Sequence, residues 1–262
     1  MFRKIYYIIL YAFAIIGVIL ILGFVILKTG LTDRAGITDQ DADYYNKSRN
    51  LTDNQNYVWL NTPEYISLKE ALKNEEVVLA RVEKETGIKS RLLVSILFVE
   101  QMRLFTDNRE LFKQIFEPLK ILGVQSQFSW GILGLKQETL IQIENNERAD
   151  GGNLLTFATS TENQDSERFT RVTDEHNHYY SYLYAALFIK QIEKQWQTAG
   201  FNISNKPEIL ATLYNIGFAN SKPKANPQVG GAEIEIAGQK YSFGRLSYEF
   251  YYSNELTDIF SR

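Results

Sequence analysis

The sequence predicts a mainly α-helical domain carried behind one N-terminal membrane-spanning helix. Three observations predict it. The run from Ile5 to Leu27 is apolar and carries no charge. Apolar residues recur at helical spacing in several later stretches, above all Gly87 to Gln101 and Asp174 to Trp196. Only one short stretch, Glu233 to Phe243, alternates as a strand pair would.

Composition narrows the function classes. The chain has 262 residues, 45% hydrophobic and 23% charged. Without its apolar N-terminus it fits one globular domain with a substantial core. A formal net charge of -3 and the absence of a basic run argue against a nucleic-acid partner. With no cysteine there is no disulfide, thiolate zinc site, cysteine nucleophile or lipidated cysteine. His176 and His178 stand two apart, which does not place them on one helix face. They read as a polar helix start rather than a metal site. No metal or other cofactor is expected.

The elements follow in order. A membrane span needs about 20 apolar residues, and the run from Ile5 to Leu27 suffices. A secretory signal would carry an apolar core of about 7–15 residues and a small-residue cleavage site, so the run reads as an uncleaved anchor. Arg3 and Lys4 before it favour a cytoplasmic N-terminus and place the rest outside. Residues 1–28 are thus an anchor, residues 29–56 a polar tether, and residues 57–262 the folded domain. No internal repeat is visible. Ser67 to Thr86 is a mixed amphipathic stretch. A further helix is expected from Asp107 to Leu122, with Pro118 as a break. Ser126 to Gly134 carries glycines suited to a turn, and Leu135 to Asn145 reads as helix. Ala149 to Arg171 is polar and reads as a long surface loop. Asp174 to Trp196 has Tyr180, Leu183, Tyr184 and Leu187 on one face. Pro207 suits the first turn of another helix. Glu233 to Phe243 predicts a hairpin around Ala237-Gly238, and Leu246 to Phe260 a closing aromatic helix.

The stretch Gly87 to Gln101 carries the chemistry. Leu93, Ile96, Leu97 and Glu100 stand at i, i+3, i+4 and i+7, with Gly87 ahead of the helix and Ser90 as its N-cap. A carboxyl group in line with a buried stripe loses hydration when charged, which raises its pKa. A carboxylic acid held neutral near pH 7 is what a general acid requires. The alternative is a carboxylate paired with a cation such as Arg103, or simply solvated.

Three separated stretches together resemble the lytic transglycosylases of the soluble-lytic and goose-type lysozyme superfamily. The first, G-I-K-S-R-L-L-V-S-I-L-F-V-E-Q, is similar to the family's G-V-x-P-x-L-L-x-A-I-I-x-x-E-S and aligns Glu100 with the catalytic acid. The second, S-W-G-I-L-G-L-K from Ser129, looks like the S-x-G-L-M-Q turn. The third, A-T-L-Y-N-I-G from Ala211, is similar to A-Y-N-x-G. The resemblance covers about Ser67 to Gly217. It departs where the family's Ser is Gln101 and its Gln is Gly134, taken here as the loss of a polar contact to substrate. The long interval between Glu100 and Ser129 suits an inserted helix.

The resemblance implies a lysozyme-like helical fold with a small β-hairpin and a peptidoglycan-cleaving activity at the MurNAc-GlcNAc β-1,4 bond. Glu100 would act first as acid and then as base while the sugar's 6-hydroxyl attacks, leaving a 1,6-anhydromuramyl end. Gln101, Ser129, Trp130, Gly131, Tyr214 and Asn215 would line the substrate cleft. Tyr214 would pack on a sugar or orient Glu100, with plain core packing as its alternative; Asn215 would bind an N-acetyl group. Glu162, Asp165 and Glu167 read as a solvated face. The expected partners are peptidoglycan strands and, through the anchor, the inner membrane, with the domain on the periplasmic side; an envelope-complex partner is left open. Two other readings stand beside this one: a muramidase of the same fold that uses water, and a non-catalytic glycan-binding or scaffold subunit.

Overall fold

The computed structural model describes residues 36–39, 44–45, 56–106, 129–158 and 163–262, with residues 4, 6–7, 10–11, 13–18 and 21–22 of the N-terminal run. The helices are α1 (Pro63–Lys73), α2 (Glu76–Thr86), α3 (Ser90–Thr106), α4 (Gln137–Ala149), α5 (Gln164–Val172), α6 (Tyr179–Thr198), α7 (Pro207–Ile216) and α8 (Phe243–Tyr252). The strands are short: β1 (Ile37–Thr38), β2 (Ser129–Trp130), β3 (Leu135–Lys136), β4 (Gly230–Gly231), β5 (Glu233–Ile236) and β6 (Gln239–Ser242). They pair antiparallel as β1 with β4, β2 with β3 and β5 with β6. The fold is mainly helical, as expected.

Helix α3 runs through the core. Every residue from Ser90 to Glu100 is buried, so this helix has no solvated face over those turns. A helix that is apolar nearly all round is a core helix. Phe98 stacks on Phe250 of α8 at 4.8 Å and packs on Trp59 at 4.8 Å. Arg91 is fully buried. Its guanidinium donates to the backbone carbonyls of Phe250 (2.6 Å), Ser253 (3.0 Å), Tyr251 (3.2 Å) and Glu255. These carbonyls lie at and after the C-terminus of α8, where a cation complements the helix dipole. Burial pulls the Arg91 pKa down to about 10.

Several local expectations are met and others corrected. Pro207 opens α7 at its first turn. The β5–β6 hairpin turns at Ala237-Gly238, both at positive φ, as a two-residue hairpin turn requires. Ser67 to Thr86 is two helices, with Thr62 capping the first through the Tyr65 N–H. Ser90 lies inside α3 rather than at its N-cap, and Gly87 closes α2 in the left-handed conformation. Gln164–Val172, expected as loop, is helical. Its apolar content is too low for periodicity to reveal it. Its inward face is instead Arg168, buried against Glu144 of α4 at 2.5 Å and 2.7 Å, with Tyr184 donating to the same carboxylate at 2.6 Å. The helix expected from Asp107 to Leu122 lies outside the described residues.

The stretch expected to be a tether is in part docked. Ile37–Thr38 pairs with Gly230–Gly231, and the Asp39 N–H donates to the Val229 carbonyl at 2.8 Å. Tyr45 is buried, and its carbonyl accepts from the Tyr248 hydroxyl at 2.7 Å. Among the described residues no helix is long and apolar enough to cross a membrane. The run from Ile5 to Leu27 is described only in part. Those of its residues that are described are helical, and Tyr11, Phe13, Ile15 and Ile21 are each at least 60% exposed.

Candidate active site

The three stretches singled out in the sequence converge on the Glu100 carboxyl. Glu100 sits near the C-terminal end of the buried part of α3 and is itself buried. The β2–β3 hairpin delivers the turn Gly131–Gly134, closed by the Gly134 N–H to the Gly131 carbonyl at 3.3 Å. Gly134 has φ +65° and lies so close that a Cβ there would stand 3.0 Å from Glu100 Oε2. A side chain at this position would face both a strained backbone and the carboxyl group itself. Gly134 therefore brings the turn against the acid, a role different from the lost polar contact expected of it.

Two side chains hold that turn by consecutive carbonyls. Gln101 Nε2 donates to the Ile132 carbonyl at 2.8 Å. The Tyr214 hydroxyl, from α7, donates to the Leu133 carbonyl at 2.8 Å. The Gln101 amide thus holds the turn that faces Glu100. Tyr214 is 4% exposed, so it does not offer its ring to a sugar. It packs on Phe188 at 5.5 Å and serves as core and as clamp. Burial pushes its hydroxyl pKa well up, and the charge of Glu100 adds to that. On the far side Gly131 lies against α6 and the end of α5. A Cβ there would stand 2.5 Å from Ser181 Oγ and 2.6 Å from the Val172 carbonyl oxygen.

The charge beside Glu100 is Arg103, one turn further along α3. Its Nη2 lies 2.6 Å from Glu100 Oε2, with the two side chains 11% and 5% exposed. The i, i+3 spacing was the signal for this pair. Burial disfavours a charged carboxyl group, whereas an adjacent guanidinium stabilises it. The structure therefore joins both readings of Glu100 made from the sequence, a buried acid and a carboxylate paired with Arg103.

The remaining candidates fall elsewhere. Asn215 follows Tyr214 on α7, about 100° further round the helix. Its Oδ1 accepts the Ala232 N–H at 2.8 Å, next to Gly231 of β4. Its carbonyl end thus serves the fold. Ser129 and Trp130 form β2, their backbones paired with Lys136 and Leu135. Asp165 pairs with Arg168, and Glu167 with Arg171, so both belong to α5 and its neighbours rather than to the Glu100 site. Glu162 lies outside the described residues. His178 precedes α6 and its Nδ1 lies 2.8 Å from Glu75. Sequence reasoning missed other buried carboxylates, among them Glu249 of α8, which accepts from the Tyr44 hydroxyl (2.9 Å) and Trp59 Nε1 (3.1 Å). Burial holds its pKa above the usual value. No family model, no curated protein and no solved structure matches this chain.

Proposed function

We propose that this protein is a membrane-anchored peptidoglycan lytic transglycosylase in which Glu100 is the single catalytic acid-base group, on a lysozyme-like helical domain facing the periplasm. The observation that carries the reading is the convergence at Glu100. Three separate stretches, chosen for their resemblance to one family, meet at this one carboxyl group: Gly134 faces it, and Gln101 and Tyr214 clamp the turn that holds Gly134. The exposed apolar side chains at the N-terminus support the anchor, because a soluble helix buries such a surface.

In the proposed reaction Glu100 gives its proton to the glycosidic oxygen as the bond to C1 of the muramyl sugar breaks. The sugar's 6-hydroxyl then bonds to C1 and returns its proton to Glu100, so no water is consumed. To carry that proton, Glu100 must separate from Arg103. General acid catalysis contributes on the order of 10²–10⁴-fold. Glu100→Gln should therefore lose at least that much activity. The test is mass spectrometry of purified cell wall incubated with the full-length protein in detergent. Anhydromuramyl ends support the reading, reducing ends indicate the muramidase, and wild-type turnover by Glu100→Gln rejects Glu100 as the acid.

One observation favours the non-catalytic reading. A carboxylate that is 5% exposed and bonded to Arg103 at 2.6 Å is also what a purely structural ion pair looks like. A protein that binds glycan strands but releases no product in the same assay would establish that reading.

A further inference from the structure

The strand Ile37–Thr38 lies only ten residue steps beyond Leu27, the last residue of the apolar run. An extended chain covers at most about 3.6 Å per residue, so these steps reach about 36 Å. Had the whole polar stretch been free up to Tyr57, the thirty steps would reach about 108 Å. The docking is built into the chain. The Asp39 N–H bonds the Val229 carbonyl at 2.8 Å, and the Tyr45 hydroxyl bonds Asp39 Oδ2 at 2.7 Å. The Tyr44 hydroxyl reaches Glu249, and its ring lies under Arg245 at 4.4 Å. Gly230 permits the close approach: a Cβ there would run into the Ile37 carbonyl oxygen, and the three atoms nearest it are Ile37 and Thr38 backbone. The strap's partner strand is tied in turn to α7. That strand is Gly230–Gly231, and the next residue, Ala232, donates to Asn215, the neighbour of Tyr214.

We propose that residues 36–39 and 44–45 form a strap that fixes the domain's point of attachment, Ile37, within about 36 Å of the bilayer, so that its substrate is the glycan strand lying next to the membrane rather than distant layers of the wall. The strap geometry rests on the strand pairing. The choice of glycan rests on the reading under Proposed function.

The test places the full-length protein in vesicles of phosphatidylethanolamine and phosphatidylglycerol containing a rhodamine-labelled lipid acceptor. The chain has no native cysteine, so a donor dye on Ala219→Cys, an exposed position just past α7, is unique. Two changes release the domain: Gly230→Ala, whose added Cβ has strap backbone as its three nearest atoms, and a twenty-residue Gly/Ser insertion between Gly30 and Leu31. Each should lower energy transfer, by about twofold for the insertion, since a flexible twenty-residue segment adds roughly 25 Å. The parent should also cleave an uncrosslinked lipid-linked glycan polymer in the same bilayer faster than suspended cell wall. The insertion variant should lose that preference while matching the parent on polymer in detergent. Equal transfer in parent and both variants overturns the strap, as does failure of the chain to stay on the vesicles. If transfer falls as expected but neither protein cleaves polymer in detergent, the strap stands and the glycan assignment is wrong.

Discussion

Replacing Glu100 by Gln tests the packing and the chemistry at once, and the structure sets the sign of its effect on stability. From the helical pattern alone, a neutral amide should relieve the cost of burying a carboxylate and leave the protein at least as stable. The structure reverses this expectation. Arg103 Nη2 bonds Glu100 at 2.6 Å, and the two side chains are 11% and 5% exposed. Removing one partner of a buried pair costs about 3–5 kcal/mol, because the other charge stays behind without its counter-ion. The amide oxygen of Gln still accepts a hydrogen bond, which leaves a cost nearer that of one bond to a charged group, about 1.5–3 kcal/mol. At about 2–4 °C per kcal/mol for a domain of this size, Glu100→Gln should melt roughly 3–12 °C below the parent. Arg103→Met should also destabilise, and the double variant should fall short of the sum by at least about 1 kcal/mol. The assay is thermal denaturation in detergent by circular dichroism on all four proteins. A Glu100→Gln protein as stable as the parent, with additive single effects, would refute the ion pair as a stabilising element.

Four other outcomes are expected. Gly134→Ala puts a Cβ on a residue at φ +65° and within 3.0 Å of the Glu100 carboxyl; it should cost about 1–3 kcal/mol and activity together, and parent-like stability would remove the role given to this turn. Asn215→Ala loses the bond to the Ala232 N–H, so a drop of about 1 kcal/mol is expected where the sequence suggested nearly none; a melting temperature unchanged within error would restore the purely substrate-facing reading. The hydrogen bond to Glu75 raises the His178 pKa above 6.5. The stability this pair adds is fully present below pH 6.5 and is lost as pH rises through the raised value. His178→Gln should flatten the stability profile across that window, and an unchanged slope would assign it to another group. Finally, a reporter fused after Arg262 should be active only outside the cytoplasm, and cytoplasmic activity would rule out the proposed topology.

The sequence by itself determined the helical class, the place of the hairpin at Ala237-Gly238, the opening of α7 at Pro207, and the residues to watch around Glu100. These are properties of local spacing and backbone preference, which neighbouring residues carry among themselves. It could not assign Gln164–Val172, whose inward face is a charge, Arg168. That charge is tolerable there only because Glu144 and Tyr184 arrive from other helices. Nor could periodicity show that α3 is buried on every side, since burial depends on what packs around a helix and not only on its own stripe. The partners of Gln101, Tyr214 and Asn215 are backbone atoms of residues 132, 133 and 232, and no side-chain pattern announces a backbone acceptor or donor. The same holds for the strap. Gly230 reads as one glycine in a loop, and only the approach of Ile37 from far along the chain shows why a side chain there would keep the strap from docking.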